Sequence, residues 1–258
     1  MESKPLKNAP LVEAIFQVKW QLRDIGPGLQ ADPNYSLSIG GIYQELRDTY
    51  PVHEQLPTAS IPNEMAAGIG IAQHRFRRGK DQCPLVQLGP GILTVNDTEG
   101  YEWSDFKERA TKGVKTLCKV YPDGDDLNIK SIVLRYINAL EFDFDQHNVL
   151  EFLKDQLKID VSLHTSLFED TTVTSFPLEV DIRSSFQCSQ PKGVIRLRLT
   201  RGKRDQKDAL VWEMIFDARG KDVPELPAQL GVWLDEAHNI IEDWFFKLIE
   251  GDLEKRFE

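Results

Sequence analysis

The chain has little of what redox, metal or nucleophilic chemistry needs. Cysteine occurs three times, at Cys83, Cys118 and Cys188, an odd number with no CxxC pair. Neither a disulfide framework nor a structural zinc site is indicated, and a reducing compartment fits best. No GxxxxGK[ST] loop is present, since Gly79-Lys80, Gly202-Lys203 and Gly220-Lys221 are followed by Asp or Arg where Ser or Thr would bind magnesium. Asp235-Glu-Ala-His238, which spells a helicase-like tetrad, therefore carries no hydrolase meaning. GxSxG, HExxH and dinucleotide-type glycine fingerprints are also missing. Positive charge is short: 31 Lys and Arg against 41 Asp and Glu give a net charge of −10, unlike a sequence-independent nucleic-acid binder. The opening residues lack an apolar signal core and no run of eighteen apolar residues occurs. The expectation is a cytoplasmic protein without a membrane span, cofactor or metal.

What is present is enough apolar material, 41% of 258 residues, for a substantial core. Residues 11–20 alternate, with Val12, Ala14, Phe16, Val18 and Trp20 opposite Glu13, Gln17 and Lys19, and predict a long strand. A helix is predicted over 39–50, ended by Pro51, and strands over 66–78, 84–88 and 92–96, the last two joined by Gly89-Pro-Gly91. Ser104 reads as the cap of a helix with Phe106, Ala110, Val114 and Leu117 on one stripe. Asp123-Gly-Asp-Asp126 is linker-like. The order then restarts: a strand over 131–142, a helix over 149–157, strands over 176–186, 194–201 and 209–218, and a long helix over 229–249.

Both halves thus read as strand, helix, three strands, helix, offset by about 120 residues. A short echo, Arg78-Gly-Lys-Asp-Gln82 and Arg201-Gly-Lys-Arg-Asp-Gln206, falls in equivalent turns. The fold class expected is α+β, with two pseudo-repeated units, 1–126 and 127–258, forming antiparallel sheets with long helices on one face of a single compact fold.

Arg135 lies on the parity opposite the apolar residues of the midpoint strand. It reads either as an anion clamp or as a cross-strand partner of an outward acid such as Glu13. Asn138 points inward, where a buried amide needs partners, so register fixing is expected of it. Residues 192–207 hold seven Lys or Arg and one acid. Arg196, Arg198, Arg201 and Arg204, with Arg75, Arg77, Arg78 and Lys80 in the equivalent turn, are candidates for an acidic protein or phosphates. The plainer alternative neutralises Arg196 and Arg198 with Glu179 and Asp181. Residues 192–207 hold no aromatic residue for base stacking. His238 and Glu242 are four apart on a helix, but no third metal ligand is apparent. Trp233, Trp244, Phe245 and Phe246 occupy more of a helix than one stripe requires, which points Phe246 toward a partner or a second subunit.

Four stretches, Leu6-Lys-Asn-Ala-Pro-Leu-Val-Glu-Ala-Ile-Phe-Gln-Val18, Tyr101-Glu-Trp103, Leu134-Arg-Tyr-Ile-Asn138 and His238-Asn-Ile-Ile-Glu-Asp-Trp-Phe-Phe246, occur in this order. In residues and spacing they resemble a sporadically distributed family of bacterial proteins of about 250 residues and unknown function. The resemblance covers almost the whole chain. It implies a cytosolic bacterial protein from mobile, defence-type gene neighbourhoods, and supplies no catalytic residues. The function expected is a non-enzymatic protein-binding module of an antiviral defence or toxin–antitoxin system, as an antitoxin, immunity or regulatory subunit. A nucleic-acid or nucleotide sensor using the basic hairpins is the alternative, and an enzyme with an unrecognised site involving Arg135 and Glu13 the third. Homo-oligomerisation is left open.

Overall fold

The computed structural model describes residues 6–80, 82–98, 100–122 and 127–258, so the linker-like stretch 123–126 lies outside the described residues. The fold is mixed α and β, with one large antiparallel sheet and, among the described residues, six α-helices. In chain order these are β1 (Leu11–Trp20), β2 (Arg23–Gly26), β3 (Leu29–Ala31), α1 (Tyr35–Leu46), β4 (Val52–Gln55), α2 (Asn63–Ile69), β5 (His74–Arg77), β6 (Leu85–Gly89), β7 (Ile92–Asp97) and α3 (Trp103–Val120). There follow β8 (Ile129–Glu141), α4 (Val149–Leu157), β9 (Asp181–Ser189), β10 (Lys192–Arg204), β11 (Lys207–Arg219), α5 (Leu230–Ile249) and α6 (Asp252–Phe257). None of the described helices is long and apolar enough to cross a membrane.

Nine strands form the sheet in the order β4-β5-β6-β7-β1-β8-β11-β10-β9, while β2 and β3 pair as a separate hairpin. The two alternating strands read from the sequence, β1 and β8, are neighbours at its middle, with Phe16 opposite Leu134 and Val18 opposite Ile132. Strand periodicity gives the sheet a closed face. Ala14, Phe16 and Val18 of β1, Leu93 and Val95 of β7, Ile132 and Leu134 of β8 and Trp212 and Phe216 of β11 are fully or almost fully buried. They share one hydrophobic cluster with side chains of α1, α3, α4, α5 and α6. Each such side chain withdrawn from water contributes roughly 1.5–3 kcal/mol.

Two buried carboxylates tie this framework together. Asp32, 5% exposed, accepts hydrogen bonds from Trp20 Nε1 (3.0 Å), Gly91 N (3.0 Å) and Tyr121 Oη (2.7 Å), joining β1, the β6–β7 turn and the end of α3. Asp97 at the end of β7 is bonded by Arg109 of α3, both side chains being almost wholly buried. A buried charge is tolerated only when paired in this way.

Several sequence expectations require correction. The strand predicted over 66–78 begins inside helix α2, which runs to Ile69. Gly70, left-handed at φ 69°, closes that helix by donating to the Ala66 carbonyl, and only His74–Arg77 is extended. Glu102, not Ser104, caps α3, its carboxylate accepting from the amides of Ser104 and Asp105. Residues 176–180 do not join β9, which starts at Asp181. Four strands, not three, follow α1 in the first half, because Val52–Gln55 pairs with β5.

Candidate functional site

The sheet face opposite the hydrophobic cluster is built from the other strand parity, and along its middle it is half-buried. Register sets its residues in rows. Arg77, Leu85, Asn96, Ile15, Arg135, Ile215 and Arg196 follow one another across β5, β6, β7, β1, β8, β11 and β10. A second row runs through Arg75, Gln87, Thr94, Gln17, Val133 and Asp217. Over these rows lies a trough of about 740 Å³, walled at one side by residues 56–58 and 70–72. Its lining holds four arginines, Arg75, Arg135, Arg196 and Arg219, against one acid, Asp217.

Each arginine is held from behind. Asp217, its side chain 2% exposed, pairs with both Arg196 and Arg219. Arg135 Nη2 donates to Glu213 Oε2 at 2.7 Å, and Arg198 approaches the other oxygen of Glu213 at 3.7 Å. Arg75 donates through Nε and Nη2 to Gln87 Oε1 (3.3 and 3.1 Å). Gln87 Nε2 continues to Thr94 and Asn96, and Asn96 Nδ2 donates to Glu13 Oε1 at 2.8 Å. A guanidinium anchored on one edge keeps donors on the others, in fixed directions suited to an oxyanion.

The partner expected for Arg135 is thus corrected. Glu13 sits opposite Ile137, two residues from the position facing Arg135, so the β11 carboxylate of Glu213 is the nearer one. Arg198 does bond Asp181, through Nε (3.0 Å) and Nη2 (3.2 Å), as the plainer reading of the basic hairpin had it. Arg196 takes Asp217 instead. The hairpin is also not one patch. Arg201 shares the parity of Leu197 and Leu199, pairs with Asp208 and lies 4.7 Å over the Phe144 ring, while Arg204 donates to the Ala139 carbonyl. In the first half Arg77 pairs with Glu54, and Arg78 is exposed in the turn beyond β5. Asn138, 2% exposed, has no partner for its Nδ2 among the described residues, so the expected amide bond is absent there on that side. Phe246 is half-buried against the core, its ring 5.3 Å from that of Phe245. Sequence reasoning missed Arg219 and Asp217, although both share the parity of Ile215.

A second polar assembly joins three of the four stretches that carry the family resemblance. Tyr101 Oη and Tyr136 Oη are 2.7 Å apart, Tyr136 Oη is 2.9 Å from His238 Nδ1, and the His238 ring stacks on Trp103 at 3.9 Å between centroids. Burial pushes the imidazole down to about 4, so it is neutral at physiological pH, and burial raises the Tyr136 hydroxyl well above its ordinary value. A neutral imidazole between an aromatic plane and a phenol is a tie between α3, β8 and α5. Glu242 lies 3.9 Å from His238 Nε2, and no group of three metal-binding side chains occurs among the described residues.

No family model matches the chain, and no curated protein matches it.

Proposed function

We propose that this protein is a non-enzymatic protein-binding module. The observation that carries this reading is the arm between α4 and β9, residues 158–180. Apart from one short 3-10 turn it has no regular structure, and it leaves Leu163, Leu167, Val173, Phe176 and Leu178 between 54% and 74% exposed. Loops of this length without secondary structure are uncommon unless they serve a function, and apolar side chains concentrated in water mark a surface that a partner covers. The arm leads into β9, the outermost strand of the sheet, where Phe186 is 48% exposed and meets Trp244 of α5 edge-on at 5.4 Å. An edge strand adds main-chain donors and acceptors that an extended segment of a partner can use.

The resemblance noted above supports a bacterial cytoplasmic setting, with the module acting as an antitoxin, immunity or regulatory subunit in antiviral defence or a toxin–antitoxin pair. Strand order supports the reading of 1–126 and 127–258 as pseudo-repeats. The run β1-β7-β6-β5 on one side of the centre is matched by β8-β11-β10-β9 on the other, with α1 and α4, then α3 and α5, at corresponding points of the chain.

The test is affinity purification at native expression followed by mass spectrometry. A defined partner is expected with the wild-type chain and its loss with the triple variant Leu167→Ser, Phe176→Ser, Leu178→Ser, whose thermal transition stays unchanged because these side chains contribute little to the core. Recovery of the chain alone under every growth and stress condition overturns the reading. Light scattering on the same samples reports whether the partner is a second copy.

A further inference from the structure

The trough on the open sheet face is independent of the arm and has a different chemistry. The chain carries a net −10, yet the trough lining, among the described residues, has four arginines and a single acid, with Glu213 and Glu54 outside the lining paired to Arg135 and Arg75. Three of those arginines stand on three adjacent strands, β8, β11 and β10. Arg135 on β8 and Arg196 on β10 both sit opposite Ile215 of the strand between them, two strand spacings or about 9.6 Å apart at the backbone. Arg219 enters from the end of β11, bonded to the same buried Asp217 as Arg196. Guanidinium groups lining one concavity, with donors beyond those bonded to Glu213 and Asp217, fit a ligand with several negative charges close together, which phosphate chains provide. The rest of the floor is of another kind: Ile15, Val133 and Ile92 give an apolar bed beside the amides of Gln17 and Gln87. Those are groups that cover the face of a heterocycle and reach its edge. The volume lies within the range of about 300–1,000 Å³ usual for small-molecule sites. Among the described residues no aromatic side chain lines the trough for successive bases to stack on, which argues against a nucleic-acid strand.

We propose that this trough binds a nucleoside polyphosphate, with its phosphates against Arg135, Arg196 and Arg219 and its base over Ile15 and Val133 toward Gln17. Titration calorimetry of the full chain at low salt, against the four ribonucleoside triphosphates, inorganic triphosphate and a thymidine oligomer, tests this. Binding of at least one nucleotide is expected, about tenfold tighter than inorganic triphosphate and than the oligomer. Ile215→Glu places a carboxylate between Arg135 and Arg196 and is expected to weaken the nucleotide by at least about tenfold, with circular dichroism checking that the sheet is retained. Arg219→Gln, which leaves Asp217 its bond to Arg196, is a second variant expected to weaken binding, and Lys203→Ala near the end of β10 is expected to leave it unaltered. Four results overturn the proposal: no nucleotide binding, equal affinity for inorganic triphosphate, tighter binding of the oligomer, or nucleotide binding that survives Ile215→Glu.

Discussion

His238 shows how a single side chain reports its surroundings. Its ring is enclosed by Trp103, Tyr136 and the α5 carboxylates Asp235 and Glu242, and burial holds it down to about 4. In the unfolded chain a histidine takes up a proton near 6.5. Because the folded value is the lower one, the unfolded state binds the proton first as pH falls. Stability from this site is whole above about 6.5 and declines between there and about 4. The effect is at most about 3 kcal/mol. Urea midpoints at pH 7.5 and pH 5 are expected to differ less in His238→Gln than in the wild type. An equal acid shift in both proteins would mean that carboxylates alone carry the pH dependence. Asn138 and Trp212 illustrate another side of burial. They face each other across β8 and β11, both are buried, and both keep an N–H donor without a partner among the described residues. Such donors weaken the closed face relative to apolar residues of the same shape.

At the scale of elements, the end of β6 and the wall of the trough depend on each other. A Cβ at Gly89 would lie 2.1 Å from the Ile71 carbonyl oxygen, a backbone atom that has no rotamer with which to yield. Gly89→Ala is therefore expected to displace residues 70–72 and to destabilise the protein by about 1–3 kcal/mol. Chemical denaturation measures the loss, and hydrogen exchange should localise it to the Gln73 amide, which donates to the Leu88 carbonyl. Elements with sustained periodicity were legible in the sequence: β1 and α4 match in full, and β8, β10, β11, α3 and α5 within a few residues. The short ones were not, since four residues of β4 or seven of α2 span at most two periods, and α2 is delimited by Pro62 and Gly70 more than by any apolar stripe. Parity alone placed Arg135 and Arg196 outward. That they share a trough with Arg75 and Arg219 follows from the order β5-β6-β7-β1-β8-β11-β10, and long-range strand order leaves no local mark on a sequence.

For the whole molecule, continuity of the sheet decides how it unfolds. β1 and β8 pair along almost their entire lengths, and the side chains on their closed face belong to one cluster drawn from both halves. A single cooperative urea transition is expected, with circular dichroism and tryptophan fluorescence coincident. Trp20 and Trp103 report on the first half, and Trp212, Trp233 and Trp244 on the second. Two separated transitions, assignable by Trp→Phe substitution in either half, would mean that 1–126 and 127–258 are independent domains.

The central position of β1 also has a bearing on how the protein is made. Its partner β7 begins 72 residues after β1 ends at Trp20, and β8, which covers its other edge, begins 109 residues after that same point. At ordinary elongation rates that edge stays unpaired for roughly ten seconds. During that interval the nascent first half presents an open strand with Phe16 and Val18 on one side, the form in which chains on neighbouring ribosomes join one another. Slow translation between residues 98 and 129 would lengthen this exposure, so the yield of soluble protein should respond to codon choice in that interval more than in the stretch after β8.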